Sequence, residues 1–118
     1  MRDIISRQEP LIRFVGEQDG EPERGLKSAL CRLFVSRNVV QRAYLVRLNY
    51  GNPSIMDVAL ALITTPEARG ELLPNVQAVF HSMFGIGQHL DIFFPSSTQE
   101  AEILLVCRPF FGAPAKDV

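Results

Sequence analysis

An apolar run in the middle of the chain constrains the fold more than any other feature of the sequence. The run "SIMDVALALITT" covers residues 54–65, and Asp57 is its one charged residue. Large side chains occupy its even positions: Met56, Val58, Leu60 and Leu62. Since strand side chains alternate between two faces, both faces are apolar, which predicts a central strand over 55–63. Its large face should pack against helices. Its small face should lie under another element or contact a partner.

The segment before this strand predicts an amphipathic helix. Its apolar residues recur at one helical face: Leu26, Ala29, Leu30, Leu33 and Phe34. Pro22 and the acidic residues around it suit a helix start, because proline is tolerated in the first turn. Asn38 is able to adopt the left-handed conformation that ends many helices.

A second helix is predicted after the central strand. Thr65-Pro66-Glu67 has the residue types of a helix start. The apolar stripe then runs to Phe84, and the glycines at 85 and 87 stop it. Gly70 and Pro74 predict a restart or a kink inside this helix.

Three further strands are predicted from strand-forming residues. "LIRFV" at 11–15 precedes the first helix, "VVQRAYLVRLNYG" at 39–51 follows it, and "HLDIFF" at 89–94 follows the second helix. The turn at 51–54 separates the strand at 39–51 from the central strand.

The C-terminal part of the sequence is compatible with two structures. "ILLVC" at 103–107 has strand propensity, whereas Ser97-Thr98-Gln99-Glu100 has the S-x-x-E spacing of a capping box. The box favours a helix over 97–107, ended by Arg108-Pro109. We expect residues 112–118 to form a mobile tail.

The order β-α-β-β-α-β-α predicts an α+β fold. We expect one domain over residues 1–118 with a core at about 11–111. The expected architecture is a two-layer sandwich of the ferredoxin-like type, with a mainly antiparallel sheet and helices on one face.

Composition excludes several function classes. Of the 118 residues, 47% are hydrophobic and 21% are charged, and the net charge of −1 provides no basic field for nucleic acid. We see no apolar stretch of about 18 residues, so no membrane span is predicted. The charged N-terminus lacks the long apolar core of a signal peptide, which favours the cytoplasm. Cys31 and Cys107 are expected to be buried free thiols, and a disulfide between them is the alternative.

No pattern of residues predicts catalysis. Neither cysteine has a histidine close in sequence, and no G-x-S-x-G elbow is present. His89 and Asp91 share one face of a predicted strand and are able to donate to a metal, but a third ligand is missing nearby. We therefore predict no enzyme, no cofactor and no metal site. An enzyme that uses His89, Asp91 or Cys107 is the exception that this pattern leaves open.

The strand at 39–51 raises a second question, because two arginines interrupt it. Arg42 and Arg47 are separated by five positions, so they should point to opposite faces. They are interpreted as solvated or edge-guarding charges, and contact with an acidic partner is the alternative.

Several stretches resemble one known family. "GEPERGLKSALCRLFVSRNVVQRAYLVRL" resembles the opening of the C-terminal domain of the enhanced serine sensitivity protein (SseB) family. The matching positions are Gly20, Pro22, Leu30, Phe34, Val39 or Val40, Ala43, Tyr44 and Leu45. "DVALALI", "HLDIFFP" and Pro109-Phe110-Phe111 resemble later parts, and Phe111 stands where the family usually has tyrosine. The resemblance covers about residues 18–111, favours a helix at 97–107 and implies no catalytic residues.

These observations favour a non-enzymatic protein-interaction or assembly module that binds a protein partner or itself. The candidate contact residues are Arg42, Tyr44, Arg47, Tyr50, Phe110 and Phe111. The alternative is a regulatory domain that binds a small molecule such as an amino acid. That alternative rests on analogy with other β-α-β-β-α-β domains and on the serine in the family's name.

Overall fold

The computed structural model describes residues 12–49, 57–85 and 90–112. The elements follow one another as β1 (Arg13–Glu17), α1 (Glu21–Arg37), β2 (Val40–Asn49), β3 (Asp57–Thr64), α2 (Pro66–Phe84), β4 (Asp91–Phe93) and α3 (Ser97–Leu104). The predicted α+β class and element order are confirmed. The ambiguous segment at 97–107 forms a helix over most of its length.

The four strands form one mixed sheet in the order β1-β2-β3-β4. β2 pairs antiparallel with both β1 and β3, while β3 and β4 are parallel. The predicted mainly antiparallel sheet is therefore present, with β3 in its interior. β1 and β2 are antiparallel neighbours although α1 connects them. The strand order is therefore not that of the split βαβ units from which the ferredoxin-like type is built.

The path of α1 explains this pairing. The Gln18 amide donates to the Leu45 carbonyl at 3.0 Å, so α1 starts beside the middle of β2. Lys27 Nζ lies 2.9 Å from a Glu17 carboxylate oxygen and ties the helix to the end of β1. From there α1 continues to Arg37, and β2 begins at Val40.

The ends of the two long helices follow local chemistry. Asn38 has a φ of 58° and donates its amide to the Phe34 carbonyl at 2.8 Å, which confirms the predicted left-handed cap of α1. α2 begins with Pro66 and continues through Pro74 to Phe84 as one helix. The predicted restart at Gly70 and Pro74 is therefore not seen. Pro74 removes one intrahelical hydrogen bond and costs about 3 kcal/mol, which the burial of Leu72, Val76 and Phe80 offsets.

The first face of the sheet packs against α1 and α2. Leu45, Leu60 and Leu62 from the strands are at most 1% exposed. The helices bury Leu26, Leu30, Phe34, Leu72, Val76 and Phe80 in the same cluster. This confirms that the large face of β3 meets the helices, and the burial is the main source of stability on this side.

The second face of the sheet packs against α3. Its buried strand residues are Tyr44, Val46, Leu48, Ala59 and Ala61, and α3 with the residues after it contributes Ile103 and Cys107. The expectation of helices on one face thus holds for α1 and α2 alone. α3 lies opposite them because the small face of β3 is apolar and needs cover.

Opposite edges of the sheet meet above this second face. Phe14 of β1 and Phe93 of β4 stack with ring centroids 6.1 Å apart and planes 10° apart. Two strands separate β1 from β4, so this contact requires the sheet to curve toward the second face. Register shifts in β1 and β2 are consistent with that curvature, because bulges increase twist.

Within the described ranges, β1 pairs only with residues 46–49 of β2, so the first half of β2 forms a local edge, and the chain after α3 crosses this edge of β2 to reach the first face. The Ala43 amide donates to the Phe111 carbonyl at 3.1 Å, and the Phe110 amide donates to the Ala43 carbonyl at 2.9 Å. The Phe111 ring meets the Phe34 ring edge to face at 5.4 Å.

Gly112 ends the described part of this crossing. It has a φ of +82°, and a Cβ there would stand 2.0 Å from the Gln41 carbonyl oxygen, so glycine is required on both counts. The predicted mobile tail at 112–118 is thus wrong for Gly112, which lies against β2. Residues 113–118 fall outside the described part.

Truncation of the central leucine should show how much of the stability depends on the first face. We expect Leu60→Ala to lower the free energy of unfolding by about 2–5 kcal/mol, because Leu60 is fully buried. Leu105→Ala is the control, since Leu105 is 83% exposed and should change stability by at most about 0.5 kcal/mol. Chemical denaturation of both variants tests this, and equal effects would contradict the description of the core.

Candidate functional site

The start of α3 determines which side chains reach the sheet. The Ser96 hydroxyl accepts from the Gln99 amide at 3.1 Å, and the Gln99 side-chain oxygen accepts from the Ser96 amide at 2.9 Å. This is a reciprocal capping box. It lies one residue earlier than the predicted pair of Ser97 and Glu100. Glu100 is therefore free of the cap and faces the sheet.

Glu100 forms the centre of a buried polar cluster with two residues of β2. Arg42 donates through Nε to Oε2 at 2.5 Å and through Nη2 to Oε1 at 3.0 Å. The Tyr44 hydroxyl donates to Oε2 at 2.5 Å. Glu100 is 6% exposed and Tyr44 is fully buried, whereas the Arg42 side chain keeps 20% of its surface in solvent. We call these three residues the Glu100 cluster.

The protonation states in the Glu100 cluster follow from this geometry. The Arg42 guanidinium, with help from the Tyr44 hydroxyl, holds the pKa of Glu100 below its ordinary value against the effect of burial. The same carboxylate raises the pKa of Arg42. Burial, and then the neighbouring carboxylate, raise the pKa of Tyr44. At neutral pH the cluster thus holds an ionised carboxylate, a guanidinium cation and a neutral phenol.

This arrangement is suited to holding α3 in place. Both carboxylate oxygens accept from donors that are fixed on β2, and the arginine pairs with the carboxylate in the bidentate geometry that is strongest for this contact. A carboxylate that is held ionised by a guanidinium is a poor general base, because its basicity has been lowered. The cluster therefore links a helix to a sheet.

Two of the predicted contact residues belong to this cluster. Tyr44 is completely buried, so the folded chain does not present it to a partner. Arg42 is engaged by Glu100, which makes the interpretation of Arg42 as a solvated charge wrong. Sequence spacing could not show this pairing, because 58 positions separate the two residues.

Arg47 has a different environment from Arg42. It is exposed, and it is paired in register with Gly16 of β1. A Cβ on Gly16 would stand 3.1 Å from Arg47 Nη2, so the guanidinium lies across the glycine. Arg42 reaches α3 on the second face, so the prediction that the two arginines point to opposite faces agrees with the structure.

The remaining predicted contact residues are the phenylalanines and Tyr50. Phe110 and Phe111 are half-buried, and both rings contact Phe34. They close the edge of the first face and keep part of their surface exposed. Tyr50 lies outside the described residues.

The two thiols are in environments that suppress reactivity. Cys31 Sγ is 3.6 Å from the Phe110 carbonyl oxygen, and Cys107 Sγ is 3.6 Å from the Leu45 carbonyl oxygen. Burial raises the pKa of Cys31 and raises the pKa of Cys107 to about 12. Both thiols are free and protonated at neutral pH.

Of the two predicted metal-ligand candidates, His89 and Asp91, the structure describes only Asp91. Asp91 begins β4 and pairs in register with Ala59, while His89 lies outside the described residues. Within residues 12–49, 57–85 and 90–112, no group of three His, Cys, Asp or Glu side chains is placed to hold a metal ion. No helix in the same ranges has both the length and the apolar character needed to cross a membrane.

An apolar rim surrounds the part of the second face that α3 covers. Its half-buried members, which pack against the buried cluster, are Ile12, Phe14, Ile63, Phe93 and Leu104. Leu105 and Val106 follow α3 directly and are 83% and 38% exposed. We call these seven residues the α3 rim.

The length of α3 explains why the rim remains exposed. α3 has 8 residues and is therefore about 12 Å long. α1 and α2, which cover the first face, have 17 and 19 residues. Among the described residues, the second face is thus covered less completely than the first.

The sequence contained a feature that points to Glu100. Glu100, Ile103 and Cys107 are spaced i, i+3 and i+7, which places one carboxylate on the apolar face of a helix. A carboxylate on such a face needs a buried cation or another donor. The spacing allowed two capping boxes, Ser96 with Gln99 and Ser97 with Glu100. Glu100 was predicted to belong to the second box, so its contact with the sheet was missed.

No family model, curated protein or solved structure matches the chain in the three comparisons. The fold therefore defines the class, an α+β domain whose C-terminal segment crosses its sheet. The relation to the SseB C-terminal domain stays a prediction from the residues quoted above.

A double-mutant cycle measures the coupling inside the Glu100 cluster. Tyr44→Phe removes one hydrogen bond to a charged group and should lower the free energy of unfolding by about 1.5–3 kcal/mol. In a Glu100→Gln background the same change should have a smaller effect, because the charged acceptor is gone. Urea unfolding of the four proteins gives the coupling energy, and additive effects would show that the two residues do not interact.

Acid should weaken the protein through Glu100. Its folded pKa lies below the ordinary value of 4.5, so its contribution is fully present above about pH 4.5 and is lost as pH falls through the folded value. We expect the unfolding free energies of wild type and Glu100→Gln to differ at neutral pH and to converge as the pH falls below the folded pKa of Glu100.

Glu71→Gln is the matched control for this titration, because Glu71 forms only an exposed pair with Arg37 at 3.5 Å. It should follow the wild-type curve throughout. A Glu100→Gln protein that keeps the full acid dependence of the wild type would contradict the assignment.

Proposed function

We propose that this chain is a non-enzymatic protein-interaction or assembly module, of the type that its resemblance to the SseB C-terminal domain implies. The observation that carries the proposal is the α3 rim. It combines half-buried aromatic rings on the less covered face of the sheet with two exposed aliphatic residues that directly follow α3 in the chain.

The composition of the rim supports contact with another protein surface. Single exposed apolar residues are ordinary, whereas contiguous apolar patches mark interaction sites more often than they mark free surface. Phe14 and Phe93 already stack on each other, so they offer a preformed aromatic surface. Leu105 projects beyond the end of α3 and is the most exposed large apolar residue of the described chain.

The state of the polar candidates supports a role without chemistry. Glu100 is bound on both oxygens, and Tyr44 is buried against it. Cys107 is protonated and 4% exposed. These groups serve the packing of the C-terminal segment, and none of them presents a free nucleophile or base to solvent.

The first face, opposite the α3 rim, carries an exposed charge that is able to help select a partner. Arg47 is exposed and lies across Gly16 near the edge strand β1. An exposed arginine on the first face is able to contact a carboxylate on a partner. Of the predicted contact residues that the structure describes, Arg47 is exposed and Phe110 and Phe111 are half-buried, while Tyr44 and Arg42 are engaged in the Glu100 cluster.

Substitution of the most exposed rim residue tests the proposal. Leu105→Glu should abolish or strongly weaken association while folding is unchanged, because the side chain is 83% exposed and a buried charge opposes contact. Val35→Glu is the matched control, since Val35 is 68% exposed on α1 and faces away from the rim. Sedimentation velocity across protein concentrations measures self-association of the three proteins.

Quantitative affinity capture in the native host tests for binding to a different protein, which sedimentation of the purified chain does not detect. A protein retained by wild type and Val35→Glu but lost with Leu105→Glu would support the proposal. Wild type that stays monomeric at high concentration and retains no protein sensitive to Leu105→Glu would overturn it.

A further inference from the structure

The C-terminal segment holds the sheet from both faces. α3 lies on the second face, residues 105–109 pass the edge of β2, and Phe110 and Phe111 contact Phe34 on the first face. We call residues 97–112 the strap.

The strap is attached at two separate places. On the second face the Glu100 cluster and the buried Ile103 hold α3. At the edge of β2, the backbone of Ala43 exchanges two hydrogen bonds with Phe110 and Phe111. Between these places Leu105 and Arg108 are exposed, whereas Cys107 is buried on the second face.

The two places are mechanically joined by a short link. Cys107 is the last residue buried on the second face, and Phe110 is the first residue bonded to Ala43. Only Arg108 and Pro109 lie between them, and proline fixes its own φ angle. Movement of α3 is therefore transmitted to the edge contact.

α3 is too short to persist without its contacts. Isolated helices of fewer than about 12–15 residues are marginal in water, and α3 has 8 residues. Loss of the Glu100 contacts thus weakens the helix itself. At the other end, Gly112 fits only because it lacks a side chain beside the Gln41 carbonyl.

We propose that residues 97–112 open and close over the sheet as one cooperative unit, with the Glu100 carboxylate as the latch. Opening uncovers Tyr44, Ala59 and Ala61 on the second face and frees the amide and carbonyl of Ala43 at the edge of β2. An apolar face beside a free strand edge is the combination that added strands bind. The strap includes Leu104, Leu105 and Val106 of the α3 rim, but its opening is measured by hydrogen exchange and the rim's contact by association, so either proposal is able to fail while the other holds.

Native-state hydrogen exchange by NMR tests the cooperativity without any substitution. Three amides report on the strap: Cys107, bonded to Ile103 at 2.8 Å; Phe110, bonded to Ala43; and Ala43, bonded to Phe111. They should share one opening free energy and one dependence on denaturant, below those of the β2–β3 amides. Distinct values for Cys107 and Ala43, or exchange of all three only by global unfolding, would overturn the proposal.

Two variants at opposite ends of the strap sharpen the test. Glu100→Gln and Gly112→Ala should each lower the protection of all three amides by a common factor. For Glu100→Gln the factor should be about tenfold or more, because a hydrogen bond to a charged group is worth at least about 1.4 kcal/mol. If Glu100→Gln affects Cys107 alone and Gly112→Ala affects only Phe110 and Ala43, the two ends move independently and the proposal is wrong.

A core variant separates strap opening from general destabilisation. Val76→Ala removes packing on α2, where Val76 is fully buried in the first-face cluster. It should lower the protection of the β2–β3 amides, which exchange by global unfolding. The three strap amides should be unchanged, because the Val76 packing is lost equally from the proteins with an open and with a closed strap. Equal loss at the strap amides would show that they exchange by global unfolding.

Discussion

A buried carboxylate determines how the second face of this protein is built. Glu100 lies almost out of contact with water, where an ionised group without partners would be strongly destabilising. Arg42 and Tyr44 offset that effect by donating three hydrogen bonds from fixed positions on β2. Because the donors lie on a rigid strand, the carboxylate accepts them in one position of α3. The orientation of the helix, and with it the burial of Ile103 and Cys107, depends on this contact.

The two faces of the sheet solve different packing problems. On the first face, leucines of β2 and β3 meet two helices of 17 and 19 residues. On the second face, Ala59 and Ala61 leave a shallow surface that one short helix and two phenylalanines share. Curvature of the sheet brings those rings together from opposite edges. The rim that remains exposed is thus a consequence of small side chains in β3 and a short α3.

Local patterns in the sequence predicted the helices and strands, whereas contacts between residues far apart in the chain could not be predicted from it. The stripe from Leu26 to Phe34, the cap at Asn38 and the two apolar faces of β3 depend on neighbours within a few positions, and these predictions hold. The position of α3 and the pairing of β1 with β2 depend on residues far apart in the chain. The role of Glu100 was missed for the same reason, since its carboxylate fits a capping box equally well until the location of Arg42 is known.

The same long-range contacts connect stability with the proposed behaviour of the strap. A segment held mainly by its own core would open only when the whole protein unfolds. The strap is held by the Glu100 cluster, by Ile103 and Cys107 on the second face, by Phe110 and Phe111 against Phe34 and by the two hydrogen bonds of Ala43. We expect this closed state to be worth less free energy than the packing of two long helices on the first face. Its attachments lie on both faces, which joins them into one unit through Pro109. A structure of this kind separates a stable layer, α1 and α2 on the sheet, from a smaller C-terminal layer in which the Glu100 cluster supplies the charged contact.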